Sequence, residues 1–83
     1  MSMSAWRAND VVAYDAMREA ANSVVALVLR RAAEGAIEQS AAGTEAASIR
    51  RDVFQVDGYD RAAVDALRDC LDARAAELSG NST

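Results

Sequence analysis

Asp65, Asp69 and Asp72 follow one another at steps of four and three, so a helix through them would carry three carboxylates along one side. Carboxylates so placed are what a pair of magnesium ions would need. Arg61, Arg68 and Arg74 are interleaved with them at helical intervals. Opposite charges three or four residues apart on a helix pair with each other in water, and the set reads as a solvated charge network. No other catalytic set can be assembled. The 83-residue chain has no His, and Cys70 is its single cysteine. Ser-His-Asp and Cys-His arrangements are therefore excluded, and zinc lacks an ordinary ligand set. There is no Gly-rich phosphate loop, and all nine basic residues are Arg, so the lysine of such a loop is missing too. The chain is read as a non-enzyme without a cofactor.

Recognition is the remaining chemistry. Trp6, Tyr14 and Met17 are large side chains outside the most apolar part of the first helix, and Tyr14 shares a face with Met17, Arg18 and Ala21. They either pack against the third helix or form a contact surface, since Trp, Tyr and Arg are the usual centres of protein interfaces. Cys70 lies beside Leu71 at the edge of an apolar stripe and reads as a small hydrophobe in a core or interface. A lone cysteine makes no internal disulfide.

Composition narrows the partners. The net charge is −4 and the pI about 4.6. Nucleic acid requires a basic stripe that releases counterions, so it is not an expected partner. The acid is uneven: residues 1–43 hold four Arg and five acids, residues 44–83 five Arg and eight acids. A surface of this kind suits a basic cleft on another protein. No apolar run approaches the ~20 residues that cross a bilayer, and no signal peptide is visible. No membrane association is expected, and the cytoplasm is the expected location. Although 52% of residues are hydrophobic, twenty are Ala, which leaves 23 larger apolar side chains. A chain this short is near the lower limit for folding alone, and a partner or a second copy would help.

The elements that position these groups are helical. Val24-Val25-Ala26-Leu27-Val28-Leu29 is the only concentrated apolar run, and by itself fits a buried strand or a buried helix. Its flanks decide. Met17, Ala21, Val24, Val25, Val28 and Ala32 advance in steps of three and four, and no Gly or Pro intervenes before Gly35. This predicts a long helix over about residues 5–38, buried on most sides at its middle, with Met1–Ser4 frayed and Ser4 or Asn9 as its cap. Gly35 is a candidate C-terminal cap, yet Ile37 and Glu38 could carry the helix on at a cost of ~1 kcal/mol.

Ser40-Ala41-Ala42-Gly43-Thr44 reads as the break, with Thr44 capping a short helix over 45–55. Ala46, Ile49, Val53 and Val56 form its apolar stripe, with Glu45, Arg50, Arg51, Asp52 and Gln55 facing away. Asp57-Gly58 is a turn pair. Asp60 caps a third helix over 60–78, and Tyr59 and Val64 are placed for a hydrophobic staple. Val64, Leu67, Leu71, Ala75 and Leu78 keep a strict 3-4-3-4 repeat, while Arg61, Asp65, Arg68, Asp69, Asp72 and Arg74 mark the outer face. Residues 79–83 are expected to be a mobile tail. The prediction is one all-α domain, a small three-helix bundle of long, short and medium helices.

In these helix lengths, in the apolar middle of the first helix and in Val53-Phe54-Gln55-Val56-Asp57-Gly58-Tyr59-Asp60, the chain resembles the epsilon antitoxins of epsilon–zeta toxin–antitoxin systems over residues 9–78. The resemblance implies a protein partner, a kinase-like toxin acting on a cell-wall precursor sugar, in a complex such as a heterotetramer. It implies that the first helix blocks the toxin's nucleotide site, with acidic and aromatic side chains reaching the phosphate pocket. Tyr14, Asp15 and Glu19, with Arg18 between them, match in kind, and Trp6 is grouped with them as a partner-binding residue. Carboxylates can occupy a site built for phosphate oxygens. Antitoxins of Fic-type adenylyltransferases place Ser or Thr four residues before Glu, where Glu34 is preceded by Arg30. Secreted helical hairpins carry Trp-x-Gly in a central turn, whereas Trp6 is N-terminal. Neither fits. Two further classes share the small acidic character: phage-encoded inhibitors, and modules that self-associate through the 3-4-3-4 stripe into homo-oligomers.

Overall fold

Met17, Val24 and Val28 are completely buried, and they mark the stripe on which the molecule is assembled. In the computed structural model, which describes residues 2–80 and the side chains of residues 9–80, that stripe belongs to α1 (Ser2–Ala33). Two further helices follow, α2 (Gln39–Gln55) and α3 (Arg61–Leu78). The protein is an all-α three-helix bundle. Both α2 and α3 pack against α1 and scarcely meet each other, so α1 is the common wall of the core.

Along α1 the core takes Ala13, Met17, Ala21, Val24, Val25, Val28 and Ala32, all within a tenth of full exposure. Steps of three and four keep these side chains on one broad face. The central run is not buried on most sides, as its composition suggested: Ala26 is exposed and Leu29 is 46% exposed. From α2 come Ala42, Ala46 and Ile49, with Val53 half-buried, and from α3 Val64, Leu71 and Leu78, with Leu67 and Ala75 half-buried. The 3-4-3-4 stripe of α3 is thus spent on α1, not held out for a second copy.

The end of α1 is set by Gly35. Its φ of +82° is the left-handed conformation that glycine adopts without steric cost. The Gly35 N–H donates to Ala32 O at 3.0 Å and the Ala36 N–H to Arg31 O at 2.9 Å, the paired bonds of a Schellman cap. The helix stops at Ala33 and does not run on to 38. It also begins earlier than expected, so Ser4 and Asn9 lie inside it and are not its caps.

The freed chain turns at once, and α2 starts at Gln39, through the stretch that reads as a break. Burial accounts for this. Ala42 is fully buried and Ala46 nearly so, four residues apart on the face that meets α1. That contact holds Gly43 in helix despite a propensity cost of ~1 kcal/mol. Glu38 is the N-cap residue but makes no side-chain capping bond to the backbone, and Thr44 sits within the helix.

The third helix begins as its sequence predicts, with Asp60 accepting a hydrogen bond from the Ala63 N–H at 3.1 Å. The staple does not form part of that start: Tyr59 is 79% exposed while Val64 is buried in the core. Ser79 and Gly80 cap the helix. The Ser79 N–H and hydroxyl both donate to Ala75 O, and the Gly80 N–H donates to Glu77 O. The rest of the expected tail, 81–83, lies outside the described residues. Arg31 of α1 closes the same end, its Nε donating to Leu78 O at 2.7 Å. A cation there also opposes the negative end of the helix dipole.

Candidate functional site

Among the described residues, Asp10 is the one charged side chain in the core. It lies in helical register with Ala13 and Met17, so the stripe that folds the bundle carries a carboxylate inward at its first described turn. Helix α3 brings Arg61 towards it, but the approach is loose: Nη1 is 3.6 Å from Oδ1. Arg61 Nε is turned to Asp65 Oδ1 at 3.3 Å, and the Arg61 side chain is about half-exposed. The other oxygen, Asp10 Oδ2, is closed off from solvent and has no hydrogen-bond partner. Buried carboxylate oxygens are nearly always bonded, because stripping water from them costs several times what a weak contact returns.

A cleft of about 360 Å³ opens beside this carboxylate, lined by Asp10, Val11, Tyr14, Gly58 and Tyr59. One wall is α1 and the other is the turn between α2 and α3. That turn is held by its own bonds, Tyr59 N–H to Asp57 Oδ1 at 2.9 Å and Asp60 N–H to Asp57 O at 2.9 Å. It backs closely onto α1: a Cβ at Gly58 would lie 3.4 Å from the Tyr14 ring. Val11, Val12, Phe54 and Tyr59 are 58, 66, 89 and 79% exposed, and all stand at this end of the bundle. Leu29 is the remaining large apolar side chain left exposed among the described residues.

The five residues singled out from sequence do not converge on one cavity. Tyr14 is half-buried in the cleft wall. Arg18 stands one turn further along α1, exposed, at the edge of a smaller groove where Ala21 and Val25 face Ile49 and Val53 of α2. Asp15 and Glu19 are exposed on the neighbouring strip of α1. The side chain of Trp6 lies outside the described residues. Met17 belongs wholly to the core and not to a contact surface. Asp10 and Val11 carry no expectation from sequence, and Gly58 and Tyr59 are read there only as turn and staple residues. The signal for Asp10 was present, a charge on an otherwise apolar helical stripe.

Elsewhere several charged groups pair with one another. Arg61 pairs with Asp65 and Arg68 with Asp72 at 3.3 and 3.6 Å along α3, as the charge-network reading expects. Glu45 and Arg74, placed on outward faces by the sequence pattern, instead turn towards each other between α2 and α3. The Arg74 hydrogen bond holds the Glu45 carboxyl below its ordinary range, against the opposing effect of burial, and Glu45 in turn raises Arg74. Cys70 is a free, exposed thiol and not a core residue. Among the described residues, no three His, Cys, Asp or Glu side chains are grouped to hold a metal ion. No described helix is long and apolar enough to cross a membrane. No family model, curated protein or solved structure matches the chain.

Proposed function

We propose that the chain is a binding protein of the antitoxin type, which neutralises a cytoplasmic enzyme by laying the N-terminal half of α1 across its nucleotide or substrate site. A kinase-like toxin of the zeta class is the partner that the sequence resemblance suggests. The observation that carries this reading is the uneven surface. Large apolar side chains are left in water at one end of the bundle, and the exposed acids Asp15 and Glu19 continue along the same helix. Clustered exposed apolar groups mark contact surfaces in small proteins, and carboxylates next to them suit a basic phosphate-binding site. The chain's lack of His and its single Cys support a binding role over nucleophilic or zinc catalysis.

Affinity capture from the native host, followed by reconstitution with the captured enzyme, tests the proposal. One stoichiometric enzyme partner whose activity falls on mixing is the expected result. Reversing both charges, Asp15→Arg with Glu19→Arg, should weaken inhibition by about tenfold or more while the helical signal persists. Unchanged inhibition by that variant removes Asp15 and Glu19 from the interface. Capture of no second protein removes the antitoxin reading.

A further inference from the structure

We infer that the cleft between α1 and the α2–α3 turn is a binding site for an organic cation, a guanidinium or ammonium group that donates an N–H to Asp10 Oδ2. The starting point is the carboxylate itself. It is nine-tenths buried, its cationic neighbour among the described residues is Arg61, 3.6 Å away on the other oxygen, and Oδ2 has no hydrogen-bond partner. A neutral apolar ligand would leave that oxygen as it is. An anion would be repelled by it and by Asp57 and Asp60 on the adjoining turn. A metal ion would find one carboxylate where it needs several oxygens. A cationic N–H donor answers both the missing hydrogen bond and the unbalanced charge.

The rest of the lining fits the same ligand. Tyr14 and Tyr59 contribute two aromatic rings, whose faces attract cations, and Val11 and Gly58 supply apolar contact for an alkyl stem. A volume of about 360 Å³ is at the lower end of small-ligand sites and accommodates a guanidinium with its stem. Arg61 keeps Oδ1, so the ligand does not displace it. Because Oδ2 is withdrawn from solvent, the cation reaches it only as a neighbouring side chain turns aside. Val11 and Tyr59, at 58 and 79% exposure, are the lining residues with least to lose by turning.

The probe is N-acetyl-arginine N-methylamide, titrated into the whole ¹⁵N-labelled chain, with the citrulline analogue as its neutral isostere. The arginine probe should give saturable shifts at Val11, Tyr14, Gly58 and Tyr59, with a dissociation constant on the order of millimolar, and the citrulline probe none. Asp10→Asn should weaken binding about tenfold or more, the loss of one charge-assisted hydrogen bond. Tyr59→Ala, at an exposed turn position, keeps Asp10 in place and should weaken it severalfold, so the test does not depend on one variant folding. Equal shifts from both probes, unsaturable shifts scattered over the α3 carboxylates, or full affinity in Asp10→Asn would overturn the site. A short peptide with Arg between two Phe separates the sources. Tighter binding than methylguanidinium assigns the site to a protein side chain, and equal binding assigns it to a free small cation. None of these readouts involves an enzyme partner, so the site can stand or fall independently of the antitoxin reading.

Discussion

Arg74 holds Glu45 with two hydrogen bonds, Nε to Oε2 at 2.7 Å and Nη2 to Oε1 at 2.9 Å, across the space between α3 and α2. Those helices otherwise scarcely touch, so this bidentate pair is the chief polar tie between them. Arg74 also donates Nη1 to Glu77 at 3.1 Å, which fixes the guanidinium from its own helix. A fork held on both sides loses less entropy on pairing than a free surface arginine would.

The pair should be measurable and pH-dependent. Both side chains keep roughly a third of their exposure, so solvent screening limits the coupling to about 0.5–1 kcal/mol. Because the folded Glu45 pKa is lowered, this stability is fully present above the ordinary carboxylate value of 4.5 and is lost as pH falls through the lowered folded value. A double-mutant cycle of Glu45→Ala and Arg74→Ala in urea should show coupling near neutral pH. The coupling should shrink in acid and in high salt. Coupling that persists undiminished in acid would show that the helices are tied by something other than this carboxylate.

Gly43 and Gly35 should respond oppositely to alanine. Gly43 lies inside α2, and a Cβ there meets nothing within 4 Å, so Gly43→Ala gains helix propensity without a clash. It should stabilise by about 0.5–1 kcal/mol, or a few degrees in Tm. Gly35 is at φ +82°, where a Cβ strains the backbone, and Gly35→Ala should cost about 1 kcal/mol and loosen the end of α1. Thermal melts of the two variants read the difference in sign directly.

Met17 and Cys70 separate the core from the surface. Met17 is fully buried, and Met17→Ala leaves a cavity worth roughly 2–5 kcal/mol, a large part of what a domain this small can hold. Cys70→Ser at an exposed position should change stability by less than about 0.5 kcal/mol. Native Cys70 should react with a thiol reagent stoichiometrically without denaturant. A protected thiol would place α3 in a different rotation about its axis.

The fold was legible where local and tertiary preferences agree. Asp60 as a cap, the Val64–Leu78 stripe of α3 and the Met17–Val28 face of α1 each combine a period with a clear boundary. The start of α2 was not legible, because Gly43 and its small polar neighbours locally favour a turn. Helix is imposed there by burial of Ala42 and Ala46 against a residue face distant in sequence. Glu45 and Arg74 were read as solvated for a similar reason, since periodicity tells which way a side chain leaves its own helix but not which helix stands there. Of the residues the sequence singles out, Tyr14 lines the cleft, while Asp15, Arg18 and Glu19 stand outside it. The sequence pattern passed over Asp10, whose significance lies in a hydrogen bond that is missing.

Asp10 and Arg61 allow that missing bond to be weighed as stability. Removing Arg61 takes from the buried carboxylate its cationic neighbour among the described residues, a change that costs more than the 3.6 Å contact itself contributes. Arg61→Met should therefore destabilise by about 1 kcal/mol, discounted for the exposure of the guanidinium. With Asp10→Asn in place no buried charge remains to strand, and the same Arg61→Met change should cost only what the surface pair with Asp65 contributes, about 0.3 kcal/mol. Asp10→Asn alone exchanges a loose ion pair for relief from an unsatisfied charge, so its own effect should stay within about 1 kcal/mol of zero. Urea titrations of the three variants supply the cycle. An equal cost of Arg61→Met in both backgrounds would mean that Arg61 acts through Asp65, and that the Asp10 carboxylate is neutralised by some other group. A cost confined to the Asp10 background would establish that Arg61 acts through the buried carboxylate and not through Asp65.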